Sequence, residues 1–304
     1  MDKTNLLPYI IPGQLDIVDG PGGLPVIRIS NAAASAEICL LGAHLLSYTP
    51  HGSRDLLWMS REAVFADGSA LRGGIPICWP WFGAPPAGAS TSHGYVRYHF
   101  WTLSGSRAVS PDCTEALFTC LPDQHAPEIW PYSFRLEFLV RVGRSLELSL
   151  RTSNTGSVPF TINQALHTYY NISDIRKIRI QGFDGLTYHD AVDKDTKTYC
   201  QQKGDITFAA ETDAVFMDSG AAVTILDPGY GRKILLEREN SASSVVWNPW
   251  IDKARRMPDF GDDEYNGMVC VECCNIRDDA RCIPPGQQHT MKTRISAEPY
   301  SAAQ

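Results

Sequence analysis

Hydrophobic positions between residues 134 and 150 recur with a period of two. They alternate with polar residues and fall on one side of an extended chain: Phe134, Leu136, Phe138, Val140, Val142, Leu146, Leu148 and Leu150. Gly143 and Arg144 divide the run into two halves. Because successive side chains of a β-strand point to opposite faces of the sheet, the pattern predicts a hairpin with one buried face.

Similar short apolar runs predict further strands at residues 24–29, 36–40, 177–180, 222–226 and 233–236. Turn-forming residues bound nearly all of these runs, the chain has 24 glycines and 20 prolines, and helical periodicity is almost absent. Many strands at short spacing favour an all-β fold, a sandwich of two large antiparallel sheets. No repeat or linker divides residues 1–304, so we expect a single domain.

Composition and charge narrow the classes of function. The chain is 43% apolar and 20% charged, as is usual for a globular protein with a large core. Its formal net charge of -7 argues against a nucleic-acid partner, because a basic surface is needed to displace counterions from phosphates. The few arginines must therefore act locally.

Neither a membrane span nor a secretory signal is predicted. No apolar run has the length needed to cross a bilayer, and residues 1–5 lack the charged-then-apolar pattern of a signal peptide. We therefore expect a cytoplasmic protein with no membrane partner, and we expect it to be a monomer.

Nine cysteines, an odd number, are scattered from Cys39 to Cys282. A large core needs no disulfide bonds, so we expect the cysteines to be reduced. Cys270, Cys273 and Cys274, with Cys282 beyond them, have part of the spacing of a zinc site. Structural zinc sites take paired ligands from turns, whereas this segment has the pattern of a strand. The sequence therefore predicts no metal site.

Two glycine-containing segments each carry an arginine. Residues 71–76 read Leu-Arg-Gly-Gly-Ile-Pro, and residues 92–97 read Ser-His-Gly-Tyr-Val-Arg. Glycine lets a backbone approach a ligand closely, and a planar guanidinium matches carboxylate or phosphate oxygens two at a time. Arg72 and Arg97 therefore indicate a small anionic substrate, unless each merely pairs with an acidic residue at a turn.

Two titratable residues fall within predicted strands. Period two places His167 on the same face as Ala165 and Tyr169. In the apolar strand predicted at 270–274, it places Glu272 on the same face as Cys270 and Cys274. A buried charge without a partner is costly, so Glu272 is either a hydrogen-bonded structural residue or held for chemistry. His167 has a similar alternative, a core histidine bonded to a backbone carbonyl.

Several further candidates have plain structural alternatives. Asp213 fits a turn or strand end, and Lys253, in a basic run with Arg255 and Arg256, fits a solvated loop. Aromatic residues that could stack on a sugar are better explained as residues of loops that cover the core: Trp79, Trp81, Phe82, Trp247 and Trp250.

Motifs of several enzyme classes are absent. The chain has no Gly-x-Ser-x-Gly elbow, no Gly-x-x-x-x-Gly-Lys-Ser/Thr loop, and no Gly-x-Gly-x-x-Gly that follows a strand to open a helix. An imidazole and a carboxylate on strands remain, with arginines on loops. This set suits proton transfer on a charged small molecule without a cofactor.

The ordered segments of the chain resemble the hexose-6-phosphate mutarotases, which are the glucose-6-phosphate 1-epimerases of the aldose 1-epimerase superfamily. The similarity runs from about residue 24 to residue 293 and rests on six segments: 71–76, 93–97, 166–170, 211–213, 247–250 and 270–272. It implies a single-domain β-supersandwich of the galactose mutarotase type. This agrees with the strand pattern.

The resemblance also implies roles for particular residues. His167 stands at the family's general acid and Glu272 at its general base. The implied substrate-binding residues are Arg72, Ser92, His93, Arg97 and Asp213. Two positions depart from the family pattern. Val96 stands where alanine is usual, and Cys273 and Cys274 follow Glu272 where a proline or glycine is usual. These departures affect the shape of the pocket and leave the preferred sugar open.

The implied activity is interconversion of the α and β anomers of a hexose 6-phosphate, glucose 6-phosphate in particular, by ring opening and reclosure. Two alternatives remain, an epimerase that acts on unphosphorylated hexose and a noncatalytic carbohydrate-binding or sensing protein. The presence of both His167 and Glu272 counts against the binding protein. Arg72 and Arg97 count against a neutral sugar, which does not require them.

Overall fold

The computed structural model describes residues 3–122, 128, 130–192, 199–220 and 222–301. Within these ranges the chain forms 22 β-strands and one short α-helix, α1 (Trp250–Arg256). The prediction of an all-β fold is confirmed. Short 3-10 segments occur at Lys3–Tyr9, Pro21–Gly23, Val96–Tyr98, Glu264–Gly267 and Arg277–Asp279. Throughout the described ranges, every helix is too short or too polar to span a bilayer.

The strands follow one another along the whole chain. In order they are β1 (Leu15–Asp19), β2 (Pro25–Ser30), β3 (Ala34–Cys39), β4 (His44–Pro50), β5 (Ile77–Cys78), β6 (Thr102–Ser110), β7 (Cys113–Cys120), β8 (Phe134–Val142), β9 (Leu146–Asn154), β10 (Phe160–Ile162), β11 (Gln164–Leu166), β12 (Tyr169–Asn171), β13 (Arg179–Gln181), β14 (Thr187–Asp190), β15 (Tyr199–Gln201), β16 (Thr212–Phe216), β17 (Val223–Asp227), β18 (Arg232–Glu239), β19 (Ser243–Asn248), β20 (Met268–Asn275), β21 (Arg281–Ile283) and β22 (Gln288–Pro299).

Eight strands form one antiparallel sheet, here called the continuous sheet, in the order β13-β17-β18-β22-β9-β8-β7-β6. The predicted hairpin lies at its centre, with Phe138 of β8 opposite Leu150 of β9. Both side chains are fully buried, as the alternating pattern predicted. A four-stranded sheet of β1 to β4 and a two-stranded sheet of β10 and β21 complete this part of the fold.

Most of the other predicted strands are also confirmed. The runs at 24–29, 36–40, 222–226 and 233–236 fall largely within β2, β3, β17 and β18. The run at 177–180 is a strand only from Arg179 onward. Its first residues form a turn, in which the backbone N–H of Lys177 donates to the carbonyl of Asp174 at 2.9 Å.

A second eight-stranded sheet, here called the interrupted sheet, has the order β15-β14-β16-β19-β20-β11-β5, with β12 also paired to β20. The expectation of one strand through 165–169 is wrong at His167 and Thr168, which separate β11 from β12. The N–H of His167 donates to the carbonyl of Pro76 at 3.0 Å, and that of Thr168 donates to Leu166 at 3.0 Å. These two residues therefore leave the hydrogen-bond ladder.

A hydrophobic cluster joins the two large sheets. Phe138 and Leu148 of the continuous sheet belong to it, as do Ala165 and Val246 of the interrupted sheet, and all four side chains are almost wholly excluded from solvent. Burial of this kind stabilises the fold by about 25 cal/mol for each Å² of apolar surface. It also gives the strands of the interrupted sheet a rigid, apolar backing.

Candidate active site

A cavity of about 390 Å³ opens on the interrupted sheet and is shared with neighbouring loops and α1. Five of the seven residues with implied catalytic or substrate-binding roles line it: Arg72, His93, His167, Asp213 and Glu272. They come from segments far apart in the chain, so the tertiary fold brings them together. Ser92 and Arg97 are half-buried and do not line this cavity.

His167 and Glu272 meet at the floor of the cavity. The imidazole Nε2 lies 3.4 Å from the carboxyl Oε1, and the residues are 8% and 1% exposed. Glu272 belongs to β20, as predicted, while His167 lies in the break between β11 and β12. Glu272 Oε2 and His167 Nδ1 are both buried without a hydrogen-bond partner among the described residues. Buried polar atoms without partners mark a site where a ligand can supply them.

Burial moves the pKa values of this pair in opposite directions. Burial and the nearby Asp213 raise the pKa of Glu272 well above its usual value, against the opposing charge of Arg97. Burial, and then the electrostatic interactions with the His93 ring and with the charges of Arg97 and Arg72, lower the pKa of His167 well below its usual value. Over a wide pH range the pair therefore holds one proton, favoured on the carboxyl group.

Aromatic rings surround the imidazole of His167. Tyr169 stacks on it at a centroid distance of 4.8 Å and an interplanar angle of 9°. The rings of His93 and Trp247 meet it edge to face at 5.6 Å and 6.2 Å. Trp247 also lines the cavity, so the interpretation of this residue as core packing alone was incomplete. Phe82 lines the cavity next to His93, whereas Trp79 is fully buried in the core.

The loop that carries Arg72 depends on its two glycines. Gly73 and Gly74 have φ of 113° and 58°. A Cβ on Gly73 would lie 2.5 Å from the carbonyl oxygen of Trp58, and one on Gly74 would lie 2.1 Å from that of Leu45. No other residue fits without displacing the backbone, so the loop lies directly on the strands below it.

Arg72 has both a structural partner and an exposed face. Its Nε and Nη2 bind the carboxylate of Asp259 at 3.1 Å and 3.0 Å, and its Nη1 donates to the hydroxyl of Tyr169 at 3.0 Å. Tyr169 and Asp259 raise the pKa of the guanidinium, so it stays charged. Pairing with an acidic residue, the alternative left open by the sequence, therefore occurs at Arg72, and yet the side chain still lines the cavity.

The second arginine segment presents His93 to the cavity. The backbone of His93 has a φ of 58°, which is uncommon for a residue with a side chain, and its N–H donates to the carbonyl of Gly83 at 2.8 Å. Gly94 follows with a φ of 79°, where a Cβ would lie 1.8 Å from the carbonyl oxygen of Trp79. Burial, Arg97 and Arg72 lower the pKa of His93 to about 3, so its ring is neutral.

Arg97 acts electrostatically on both His93 and His167. Its Nη2 donates to the hydroxyl of Tyr98 at 3.2 Å, and its guanidinium lies 5.2 Å from the centre of that ring. Its Nε is buried without a hydrogen-bond partner among the described residues. The charge of Arg97 still reaches the cavity, because it contributes to the pKa shifts of His93 and Glu272.

Asp213 and Lys253 face the cavity from the other side. Asp213 is the second residue of β16, and burial raises its pKa to about 6, opposed mainly by Lys253. Lys253 is on α1, where its Nζ donates to Glu211 at 2.9 Å and lies 5.6 Å from the ring centre of Trp247. The interpretation of Lys253 as part of a solvated loop was wrong, because this side chain lines the cavity.

Sequence reasoning missed several cavity residues, among them the polar residues Asn163 and Arg277. Arg277 has a φ of 54°, its N–H donates to Asn163 Oδ1 at 2.9 Å, and its guanidinium contacts His189 Nδ1 at 3.2 Å. No local pattern distinguishes this arginine from other loop arginines. Asp259 was missed for the same reason, because only the fold brings it to Arg72.

The cysteines lie apart from any cluster of metal ligands. Cys270, Cys273 and Cys274 are on β20, as the strand pattern predicted, and are buried free thiols. Among the described residues, no group of three or more histidine, cysteine, aspartate or glutamate side chains is arranged to hold a metal ion.

Comparison with known protein sequences relates the chain to the aldose 1-epimerases. The profile of the aldose 1-epimerase family matches residues 25–296. A protein of Cenchrus ciliaris, provisionally named a glucose-6-phosphate 1-epimerase, is 34% identical over 295 residues, which are 94% of this chain and 88% of the relative. A protein of Escherichia coli with the same provisional name is 34% identical over 82% of each chain.

Solved structures agree with the sequence comparisons. The crystal structure of a protein of Salmonella typhimurium, provisionally described as a mutarotase, superposes with a TM-score of 0.88 at 29% identity. The match covers 98% of this chain and 99% of the other. A galactose mutarotase-like protein of Clostridium acetobutylicum has a TM-score of 0.74 at 12% identity, covering 94% and 98% of the two chains, which shows a shared fold.

Proposed function

The chain belongs to the aldose 1-epimerase family, and we propose that it interconverts the α and β anomers of a hexose 6-phosphate, glucose 6-phosphate in particular. As a member of this family it is an isomerase, a mutarotase of carbohydrate metabolism. The observation that carries the proposed mechanism is the contact of 3.4 Å between His167 Nε2 and Glu272 Oε1 in a cavity. The names of the relatives support the phosphorylated form of the substrate.

The proposed reaction consists of two linked proton transfers. Glu272 removes the proton of the anomeric hydroxyl while His167 donates a proton to the ring oxygen, and the bond between C1 and the ring oxygen breaks. Rotation about the bond between C1 and C2 then presents the other face of the aldehyde. Reclosure with the two roles reversed gives the other anomer. Each positioned proton transfer is worth about 10²- to 10⁴-fold in rate.

The protonation of the pair supports this cycle. Ring opening starts with the proton on the imidazole, and ring closure starts with the proton on the carboxyl group. Both states hold one proton in total, so the pair does not need to exchange protons with solvent between the two half-reactions. The pKa shifts of His167 and Glu272 favour the carboxyl-protonated state, which is the state that closes the ring.

Positive charge around the cavity supports an anionic substrate. Arg72, Lys253 and Arg277 line the cavity, and the charge of Arg97 acts on the cavity residue His93. We propose that Arg72 and Arg97 hold the 6-phosphate through charge-assisted hydrogen bonds, with Ser92, His93 and Asp213 in contact with the sugar. An epimerase of unphosphorylated hexose is the second candidate, because Asp259 already compensates part of the charge of Arg72.

Anomer exchange measured by NMR tests the proposal. The purified protein is added to glucose 6-phosphate and, separately, to glucose, and the exchange between anomer signals is compared with that of the uncatalysed reaction. We expect strong acceleration with glucose 6-phosphate and weak acceleration with glucose. Equal acceleration of both sugars would favour the neutral-sugar epimerase, and binding without acceleration would favour a carbohydrate-binding protein.

A further inference from the structure

Tyr169 contacts both the proposed general acid, His167, and the proposed phosphate-binding residue, Arg72. Its ring stacks on the imidazole of His167 at 4.8 Å, and its hydroxyl accepts a hydrogen bond from Arg72 Nη1 at 3.0 Å. It lines the cavity and is only 2% exposed. We propose that Tyr169 is a positioning residue with two separable actions, one on His167 through its ring and one on Arg72 through its hydroxyl. The inference rests on the proposed roles of those two residues.

The ring of Tyr169 makes the parallel stacking contact with the imidazole, whereas His93 and Trp247 meet the imidazole only edge to face. A histidine used in catalysis is commonly fixed by a hydrogen bond at its second ring nitrogen. Here Nδ1 of His167 has no partner of good geometry in the part of the chain that the structure describes. The residue also lies in the gap between β11 and β12, so no strand ladder holds its backbone. Parallel stacking on Tyr169 restricts the tilt of the imidazole and keeps water from one of its faces.

The hydroxyl holds Arg72 without cancelling its charge. Burial first of all raises the pKa of Tyr169, so the phenol remains neutral, unlike the carboxylate of Asp259 on the other side of the guanidinium. The two partners together fix the plane of the guanidinium, since Asp259 takes Nε and Nη2 and Tyr169 takes Nη1. A fixed plane with a net positive charge suits recognition of an anion.

Tyr169 is itself firmly held. Its backbone N–H donates to the carbonyl of Gly74 at 2.9 Å, and its carbonyl accepts from Trp58 N–H at 3.0 Å. Its ring also stacks on Trp58 at 5.7 Å and meets Trp247 edge to face at 6.0 Å. Tyr169 is therefore anchored to the same glycine loop that carries Arg72, and it can transmit the position of that loop to His167.

Two substitutions separate the two actions, with a matched control next to them in the sequence. Tyr169→Phe keeps the ring and removes the hydroxyl, and we expect KM for glucose 6-phosphate to rise about five- to tenfold with kcat nearly unchanged. Tyr169→Leu removes both the hydroxyl and the ring, so its effect beyond that of Tyr169→Phe reports on the ring, and we expect kcat to fall by about tenfold or more relative to Tyr169→Phe. Tyr170→Phe removes a buried hydroxyl that does not line the cavity, and it should change neither constant.

A double substitution tests whether the hydroxyl acts through Arg72. In an Arg72→Gln background, Tyr169→Phe should have no further effect on KM, because its partner is already absent. If the two effects multiply, or if Tyr169→Phe leaves KM unchanged in the original background, the proposed action on Arg72 is wrong.

Imidazole NMR tests the action on His167 without any assay of activity. The titratable and charged groups around this ring are Glu272, His93, Arg72 and Arg97. Tyr169→Leu and Tyr169→Phe both remove the hydroxyl that binds Arg72, so the difference in titration between these two variants reports on the ring alone. Water admitted by the loss of the ring should raise the pKa of His167 towards its usual value. An unchanged titration in a folded variant would overturn this action. Absence of sugar turnover by the original protein would instead overturn the proposed function, which the NMR result does not depend on.

Discussion

The two large sheets each bury a glutamate on a strand, and the two carboxyl groups behave differently. On the continuous sheet, Glu115 is 8% exposed and binds Arg141 and Arg107 at 2.6 Å and 2.8 Å. Burial raises its pKa, but the two arginines outweigh that effect and the net pKa is lowered. On the interrupted sheet, Glu272 is 1% exposed, forms no ion pair with an arginine among the described residues, and has a pKa well above its usual value.

The contrast shows that burial alone does not mark a carboxylate for chemistry. Glu115 sits where long arginine side chains reach it from solvent, so its charge is compensated and the group is structural. Glu272 faces a neutral imidazole and an open cavity, so its proton is available for exchange. A raised pKa together with a titratable neighbour and a cavity is the combination that indicates acid and base function.

The largest expected effect is on turnover. Glu272→Gln and His167→Asn should each lower kcat by about 10²-fold or more, since each removes one of the two proton transfers. The melting temperature should stay within a few degrees, because the replacements keep the shape of the side chains. Glu115→Gln is the matched control and should leave kcat unchanged. Near-normal turnover by either site variant would remove that residue from the mechanism.

The next effect is on recognition of the anion. Arg72→Ala and Arg97→Ala should each weaken binding of glucose 6-phosphate by about ten- to a hundredfold, which corresponds to the loss of hydrogen bonds to a charged group. Lysine should restore only part of the loss, because a point charge lacks the bidentate fork. Affinity and anomerisation are measured for glucose 6-phosphate and glucose at two salt concentrations. An equal loss on both sugars would mean that the arginines only support their loops.

The dependence of turnover on pH tests the protonation of His167 and Glu272. Activity needs one proton on the pair, so it should fall below the lowered pKa of His167, where both groups are protonated. It should also fall above the raised pKa of Glu272, where neither group holds a proton. We therefore expect a broad plateau in the pH profile of kcat, with the change approaching tenfold per pH unit beyond each edge.

Substitution of Asp213 should shift this pH profile. Its carboxylate raises the pKa of Glu272, so Asp213→Asn should move the alkaline edge of kcat to lower pH. With a pKa of about 6, Asp213 should also make KM fall as pH rises through that value, because only the ionised form accepts hydrogen bonds from sugar hydroxyls at both oxygens. Glu115→Gln should leave both edges in place, and a shift in that variant would contradict the assignment.

A smaller effect is expected on stability. Glu115→Gln should lower the free energy of unfolding by about 1 kcal/mol at neutral pH, because its arginine partners are partly solvated. Since the folded-state pKa of Glu115 is lowered, this contribution is present above the unfolded-state pKa and is lost as pH falls through the folded-state value. Urea unfolding at two pH values measures it. A loss that is the same in acid and at neutral pH would point to packing instead of charge.

No effect at all is expected from metal removal. Dialysis against a strong chelator, followed by elemental analysis, should leave the rate of anomer exchange unchanged, since the proposed chemistry uses side-chain protons only. Recovery of lost activity by added zinc would indicate a functional metal site and would direct attention to Cys270 and Cys273.

The sequence alone determined the features that depend on neighbouring residues. Alternation predicted the hairpin of β8 and β9, because side-chain direction in a strand repeats every two residues, and a run of apolar residues predicted the buried strand that carries Glu272. The glycines beside Arg72 and His93 indicated tight loops for a similarly local reason, since positive φ excludes most side chains. Resemblance to known segments then supplied candidate roles for these residues.

Only the tertiary structure decided which groups meet and how they are charged. It broke the predicted strand at His167, brought that imidazole to 3.4 Å from Glu272, paired Arg72 with Asp259, and turned Lys253 and Arg277 towards the cavity. These outcomes depend on contacts between residues far apart in the chain. Desolvation and Coulomb interaction act through space and not along the sequence, so the protonation of the site follows from the packing of the two sheets.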